Sequence, residues 1–316
     1  MGILVCGAVM VDIKGYPLSQ YIPRGRNSGR IVQVYGGVSR NIAEDIANMG
    51  LHPAFLSLVD DTMVGKDIVE KLAQRGVDTR YIRSVPDGHG IWMAIFGNNG
   101  DVAGSISKRP DLMQLMKTID RYGDEMVRNA DSVSIEMDME RELVERIMSL
   151  AKKYGKKIFA VVSNMSILLE KRELLTQIDC FVCNEQEAGM LFSENYGNMD
   201  PQEMADVIEE RARSANIARI VVTMGSRGAV YADTTVDTTV NDPDCRFKGV
   251  CPARNVDVID TTGAGDAFFA GVTAGLTYGK DLKQSCEIGT RLASSVIATK
   301  ESVCPVYKPA EFGFQM

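Results

Sequence analysis

Residues 260–266 read Asp-Thr-Thr-Gly-Ala-Gly-Asp and run directly into the apolar stretch AFFAGVTAGL. Gly263 and Gly265 permit a tight backbone turn, and the apolar spacing beyond them predicts a helix. The unpaired N–H groups of its first turn converge around Gly263, Ala264, Gly265 and Asp266. They sit at the positive end of the helix dipole, where a phosphate group binds without a basic side chain. A carboxylate at this place has two readings. Asp266 can cap the helix, or it can accept the proton of an attacking hydroxyl while the neighbouring amides hold the phosphoryl group being transferred.

Other residues carry chemistry in the same double sense. Gly36 and Gly37 precede the helical pattern SRNIAEDIANMG. Two positions without side chains let a polyol approach the backbone, and Asn41 offers hydroxyls both a donor and an acceptor; a plain strand-to-helix turn is the other reading. Asp12 is expected to end the first apolar strand, where a carboxylate accepts hydrogen bonds from two adjacent hydroxyls, or to sit on a surface turn. Glu136, in VSIEMDM, is expected at a strand end facing the same cleft, with Asp138 and Glu140 nearby. CNEQEAGML brings Asn184, Glu185 and Glu187 to a strand-to-helix junction. Acids there stabilise a helix dipole, and Glu187 can equally hold magnesium through water, because that ion keeps most of its shell for water and phosphate. In TMGSRG, the Thr223 hydroxyl and the backbone at Gly225 and Gly228 either bind nucleotide phosphate or form a turn between strands.

Composition narrows the partner. The 316 residues are 45% hydrophobic and 24% charged, with a net charge of -7 and a pI near 5.1. No overall positive field draws such a chain to nucleic acid or anionic lipid, which leaves a small molecule. The apolar start has no basic segment before it and contains Asp12, and no window approaches the length of a membrane span, so a cytoplasmic protein is expected. Seven cysteines at irregular spacing fit reduced thiols. Cys180 and Cys183 have the CxxC spacing of a redox or zinc pair but lie in an apolar run, with no second CxxC and only two histidines, and read as part of a buried strand. The seventeen methionines are scattered and read as core filler. GxxxxGK[ST] is absent, which excludes a P-loop.

The elements that must position these residues follow from periodicity. Short β-rich runs such as ILVCGAVMVD, PAFLSLVD and ARIVVTMG alternate with helical patterns such as VGKDIVEKLAQRG and ELVERIMSLAKKYG. That alternation predicts an α/β fold with a mostly parallel sheet covered by helices on both faces. Residues 15–37 and 90–109 break the rhythm, the second as a hairpin turning at the Asn-Asn-Gly of 98–100. They are expected to form a small β lid, inserted at 13–35 and 88–109, over a cleft at the ends of the main strands, or else ordinary surface hairpins. A third irregular stretch, 232–260, reads as a strand meander leading into the Gly-Ala-Gly turn. With no repeat and no linker, residues 1–316 are expected as a single domain. Lid edge strands that pair between subunits would make a homodimer.

DTTGAGDAFFAG resembles the C-terminal signature of the PfkB carbohydrate kinase family, the ribokinase-like kinases of sugars and nucleosides, and YGGVSRNIAEDIANMGL at 35–51 resembles its N-terminal signature. Between them, NEQE at 184–187 is similar to the family's metal-associated NxxE and TMGSRG at 223–228 to its nucleotide-contacting TxGxxG. The resemblance covers most of the chain in family order. It implies a ribokinase-like fold, ATP and magnesium as cofactors, and a sugar or nucleoside as acceptor. It further implies that Asp266 is the base, that residues 263–266 form the anion hole, that Asp12, Gly36, Gly37, Asn41 and Glu136 touch substrate, and that Asn184, Thr223, Gly225 and Gly228 bind nucleotide. Asp260 and Thr262 match positions where relatives bind a monovalent cation, but the partner segment LASSVIATKESVCP lacks its usual glycine, which argues against a potassium requirement. GGVSRNIAEDIA is closer to the pseudouridine kinase form than to the ribokinase form, with Arg40 where a smaller residue is common. Pseudouridine is therefore the favoured acceptor, with ribose, a ketohexose or its phosphate, and adenosine-like nucleosides open. For a phosphosugar, Lys108 and Arg109 on the lid would be the cations available. A non-catalytic sugar- or nucleotide-binding regulator is the alternative, and the intact Asp266 speaks against it.

Overall fold

The computed structural model describes residues 2–98, 101–236 and 247–314. Nine strands form one sheet: β1 (Leu4–Cys6), β4 (Ala54–Val59), β5 (Ile82–Ser84), β8 (Ser132–Glu136), β9 (Lys157–Val161), β10 (Cys180–Asn184), β11 (Arg219–Thr223), β12 (Ala229–Asp233) and β13 (Lys248–Cys251). Their order is β13-β12-β11-β10-β9-β8-β1-β4-β5, parallel except near one edge, where β12 pairs antiparallel with both β11 and β13. Strands such as β1, β4 and β8 are buried along their whole length, as expected of parallel strands covered on both sides.

Alternate residues of each strand feed two different cores. Leu4 and Cys6 pack on one face with α3 (Met116–Asn129), α4 (Arg141–Lys153), α5 (Met165–Leu169), α6 (Glu185–Phe192) and α7 (Pro201–Ser214). Ile3 and Val5 pack on the other with α1 (Val38–Asn48), α2 (Met63–Gln74), α8 (Ala264–Thr277) and α9 (Leu282–Ile297). The period of two has a consequence for the CxxC spacing: Cys180 lies in the second core and Cys183 in the first. Their thiols are on opposite faces of the sheet, so they form neither a redox pair nor a zinc half-site. Helices α8 and α9 touch closely, since a side chain on Gly271 would stand 2.6 Å from the Gly289 Cα. Among the described residues, no helix is long and apolar enough to cross a membrane.

A separate four-stranded sheet, in the order β3-β2-β6-β7, is built from β2 (Met10–Pro17), β3 (Gly29–Gly36), β6 (Gly90–Phe96) and β7 (Val102–Lys108). The expected hairpin is β6–β7; Asn99 and Gly100 of its turn, and 237–246 of the expected meander, lie outside the described residues. One expectation is corrected here. Asp12 does not end the first strand of the main sheet, because β1 stops at Cys6 and Asp12 lies in β2 of the small sheet. The apolar run hides the break, since Val9 and Val11 remain buried after the chain has left the main sheet. Gly7 is the only local sign of it: a side chain there would stand 1.9 Å from Ser39 Oγ. The small sheet is tied to the body at Tyr35, whose hydroxyl donates to Asp67 on α2 at 2.6 Å while Lys71 lies 4.6 Å over its ring.

Candidate active site

Helix α8 begins at Gly263, which takes the N-cap position with φ 82° and no side-chain cap. A side chain at this residue would lie 2.0 Å from the Ser302 carbonyl oxygen, so both the backbone angle and the close approach require glycine. Asp266, in the first turn, is not a cap. Its Oδ2 accepts a hydrogen bond from Asn41 Nδ2 at 2.8 Å, and Asn41 Oδ1 in turn accepts from Arg40 Nη1 at 3.0 Å, which sets the direction of the amide. Arg40 is itself buried and paired with Glu44. Burial pushes the Asp266 carboxyl up to about 7, against the pull of the Asn41 hydrogen bond.

Asp266 faces a cavity of about 300 Å³ under the small sheet. Asp12, Gly37, Asn41 and Glu136 line the same cavity, with Ser107 and Arg109 from the end of β7. Gly36 stands just behind the wall, where a side chain would come within 3.2 Å of Asp12 Oδ2. Glu136 is gripped from inside the fold: its Oε2 accepts from Ser39 Oγ at 2.7 Å and from the Ala8 N–H at 3.2 Å. Burial, with the Asp138 charge adding to it, raises its carboxyl to about 7 although both hydrogen bonds oppose the rise. Burial raises Asp12 as well, with the Lys14 charge opposing. Among the described residues, the wall carries five carboxylates, Asp12, Glu136, Asp138, Glu140 and Asp266, and one cation, Arg109. That cation is engaged with Asp138 at 3.0 Å, and Lys108 is paired with Asp87.

A second cavity, of about 640 Å³, lies on the other side of the same turn. Thr223, Gly225 and Gly228 line one end; Val256, Val258, Ala293 and Ile297 give another part an apolar lining suited to a flat ring. Ala264 and Gly265 belong to this cavity whereas Asp266 belongs to the first. A side chain on Gly265 would meet nothing within 4 Å, so the turn is open on the larger cavity.

Two groups of expected residues stand apart. Asn184 and Glu187 form a capping box, with Asn184 Oδ1 accepting from the Glu187 N–H at 2.9 Å and Glu187 Oε2 from the Asn184 N–H at 2.7 Å. Neither lines either cavity, although Asn184 is the strand neighbour of Thr223. Asp260 and Thr262 lie in a wide cleft of about 1010 Å³ beside the small sheet, with Lys14, Arg30 and Lys300, which reaches neither Asn41 nor Asp266. Asp260 Oδ1 accepts from the Thr262 N–H at 2.9 Å and so holds the turn. Sequence reasoning assigned no role to Ser39 and Ser163 and named Asp138 only as a neighbour. Ser163 donates its N–H to Asp138 Oδ1 at 2.9 Å, a contact between segments that no local pattern signals.

A turn shared by an acceptor-sized cavity and a nucleotide-sized one is the geometry a phosphotransferase needs. Residues 2–306 match the pfkB family of carbohydrate kinases. The chain belongs to the PfkB family. This PfkB kinase is 32% identical over 301 residues to the guanosine-inosine kinase of Exiguobacterium acetylicum, covering 95% of each chain. To the pseudouridine kinase of Escherichia coli it is 22% identical over 301 residues, covering 94% of this chain and 90% of the relative. The ribokinase of Arabidopsis thaliana complexed with ribose and ATP shares the fold at a TM-score of 0.80 and 20% identity, over 98% of this chain and 96% of its own. As a PfkB member the chain is a kinase of sugars or nucleosides. The pseudouridine-like form of the N-terminal signature does not extend to the whole chain, where guanosine-inosine kinase is the more similar of the two.

Proposed function

We propose that this kinase transfers the γ-phosphoryl group of ATP to a primary hydroxyl of a neutral nucleoside, with a purine ribonucleoside preferred to pseudouridine. The observation that carries the reading is the position of one turn between two cavities, with Ala264 and Gly265 lining the larger while Asp266 faces the smaller. An acceptor cavity of about 300 Å³ is at the small end of ligand pockets and suits a single metabolite. Its five carboxylates accept hydrogen bonds from hydroxyls and repel a phosphate, and the two lid cations a phosphosugar would need are already paired. Likeness to guanosine-inosine kinase supports the purine base.

In this mechanism Asp12, Gly37, Asn41 and Glu136 hold the ribose hydroxyls, with Gly36 leaving Asp12 room behind the wall, and Thr223, Gly225 and Gly228 hold nucleotide phosphates, with Asn184 capping the helix beside Thr223. The acceptor oxygen attacks the γ-phosphorus, the bond to the β–γ bridging oxygen breaks, and ADP leaves with that electron pair. Asp266 takes the hydroxyl proton, and the amides of Gly263, Gly265 and Asp266 hold the oxygens of the group in transit, while the Ala264 N–H donates to the Thr261 carbonyl at 3.3 Å and closes the turn. Burial raises the Glu187 carboxyl, its own Asn184 backbone bond opposes this, and the nearby Asp138 charge raises it further, so a cation among these acids relieves repulsion. Glu187 would hold the ion through water, and the ion would neutralise phosphate charge. Residues 10–36 and 90–108 act as a lid that excludes water from the acceptor. The exposed lid residues Ile31, Met93, Ile95 and Ile106 share the sheet face opposite Asp12 and support pairing with a second copy.

The test is ATP consumption by wild type and Asp266→Asn with guanosine, inosine, adenosine, pseudouridine, ribose and a ketohexose phosphate. A purine nucleoside should drive turnover in the wild type and lose it in the variant. Turnover only with a phosphosugar, or an active Asp266→Asn enzyme, would overturn the reading.

A further inference from the structure

Helix α1 carries more buried polar groups than contact with substrate requires. One turn beyond Asn41, Asp45 is 0% exposed, and Asn48, on the same helix face, is 2% exposed. Asp45 Oδ1 accepts from the Cys304 N–H at 2.6 Å, and Asn48 Nδ2 donates to the Cys304 carbonyl at 2.7 Å. Two side chains three positions apart therefore take hold of both backbone polar groups of a single residue. The Tyr307 N–H adds a further tie, donating to the Asn48 carbonyl at 2.6 Å.

What this grip holds in place is the back of the catalytic turn. Two residues before Cys304, the Ser302 carbonyl oxygen occupies the space 2.0 Å from where a Gly263 side chain would begin. The segment fastened to α1 is thus the surface against which Gly263 rests. The arrangement is costly in stability, because Asp45 Oδ2 and Asn48 Oδ1 are buried with no hydrogen-bond partner among the described residues. An apolar pair of similar volume would leave the N–H and carbonyl of buried Cys304 unpaired, so the polar pair both satisfies that backbone and fixes where it lies.

We infer that Asp45 and Asn48 are positioning residues for phosphoryl transfer: by clamping Cys304 they hold residues 302–304 against Gly263 and so fix the amides that receive the phosphoryl group. The inference rests on residues 263–266 being the phosphoryl-binding turn. Hydrogen-bond donors aimed at a developing charge lose their effect when they shift by about 1 Å, at a cost of roughly 10²-fold in rate.

The experiment compares steady-state kinetics of full-length wild type, Asp45→Ala, Asp45→Asn and Asn48→Ala with the acceptor that wild type turns over fastest. It also measures binding of ADP alone and of ADP with aluminium fluoride, a mimic of the phosphoryl group in transit. Asp45→Ala should lose about 10²-fold in kcat, with KM for the acceptor and Kd for ADP unchanged, and should bind the mimic more weakly by the same factor. Asp45→Asn keeps an acceptor for the Cys304 N–H and should return most of the lost kcat. A folded Asp45→Ala enzyme with wild-type kcat overturns the inference. So does one that loses kcat yet binds the mimic normally, or an Asp45→Asn enzyme as impaired as Asp45→Ala. Should Asp45→Ala fail to fold, Asn48→Ala removes only the grip on the Cys304 carbonyl and carries the same readouts and the same overturning results. Asp266→Asn, run in parallel, separates the two readings. If it keeps kcat, the assignment of the catalytic turn fails; if it loses kcat and the clamp variants do not, only the clamp fails.

Discussion

Asn41 Nδ2 and Asp266 Oδ2 lie 2.8 Å apart although 225 positions separate the two residues in the chain. The first belongs to the helix that follows the paired glycines, the second to the helix that follows the Gly-Ala-Gly turn, and α1 packs against α8 to bring them together. The contact joins the two ends of the family resemblance into one site. Burial raises the Asp266 carboxyl, and the Asn41 donor, which favours the charged carboxylate, opposes that rise.

That balance predicts the pH dependence of turnover. With the Asp266 carboxyl raised to about 7, the group is protonated and inactive as a base below that pH and ionised above it. In the free enzyme, kcat/KM for the acceptor should therefore climb through about pH 7 to a plateau. Asn41→Ala removes the hydrogen bond that favours the carboxylate, so the midpoint should move upward. A pH–rate profile of both enzymes checks this, and a flat wild-type profile between about pH 5 and pH 9 would contradict it.

Glu136 predicts a pH effect on stability rather than on rate. Its folded-state carboxyl is raised to about 7 from an ordinary 4.5, so the folded protein binds the proton more tightly than the unfolded chain does. The stabilisation this gives is complete below the ordinary value and disappears as pH rises through about 7. Glu136→Gln keeps acceptors for Ser39 and the Ala8 N–H but has no charge to bury. Its Tm relative to wild type should improve from about pH 5 to about pH 8, as read by thermal melts.

Gly263→Ala should separate stability from catalysis only partly. A methyl group there meets the Ser302 carbonyl at 2.0 Å, at a φ of 82° that disfavours any side chain. The strain costs about 1–2 kcal/mol before any clash is counted, so Tm should fall by several degrees. The displaced turn should lower kcat by roughly 10²-fold or more. Calorimetry and initial rates on the same preparation measure both.

On the lid, Ile31 is 76% exposed and Ile106 is 67% exposed, on the sheet face turned away from Asp12. If that face pairs with a second copy, Ile106→Lys should yield a monomer by sedimentation and leave the fold intact by circular dichroism. An unchanged sedimentation coefficient would argue that another surface joins the subunits or that none does.

Local chemistry makes the turn before α8 readable in the sequence. Two glycines around an alanine, an acid and an apolar helix are contiguous, and the turn they predict is the one found at Gly263. The parallel sheet was equally readable, because strands buried on both faces leave unbroken apolar runs. Asp12 was misplaced for the same reason, since Val9 and Val11 continue the run into the small sheet. The period of two along a strand was enough to separate Cys180 from Cys183. Nothing local distinguishes Asp45 from any other helical aspartate, because its partner Cys304 lies 259 positions away. Arg109 and Asp138 meet only through the docking of the lid end against β8 and its following turn.

The two cavities are drawn from different parts of the chain. Apart from Asp266, the acceptor side is lined from residues 8–41, 107–112, 136–140 and 163, and the nucleotide side from 223–228, 253–268 and 290–297. On the proposed assignment, substitutions accumulating in the first half would change which hydroxyl compound is accepted while the second half goes on binding the same phosphoryl donor. Such a division of labour along the gene would let a lineage of kinases diversify its diet without reinventing its fuel line.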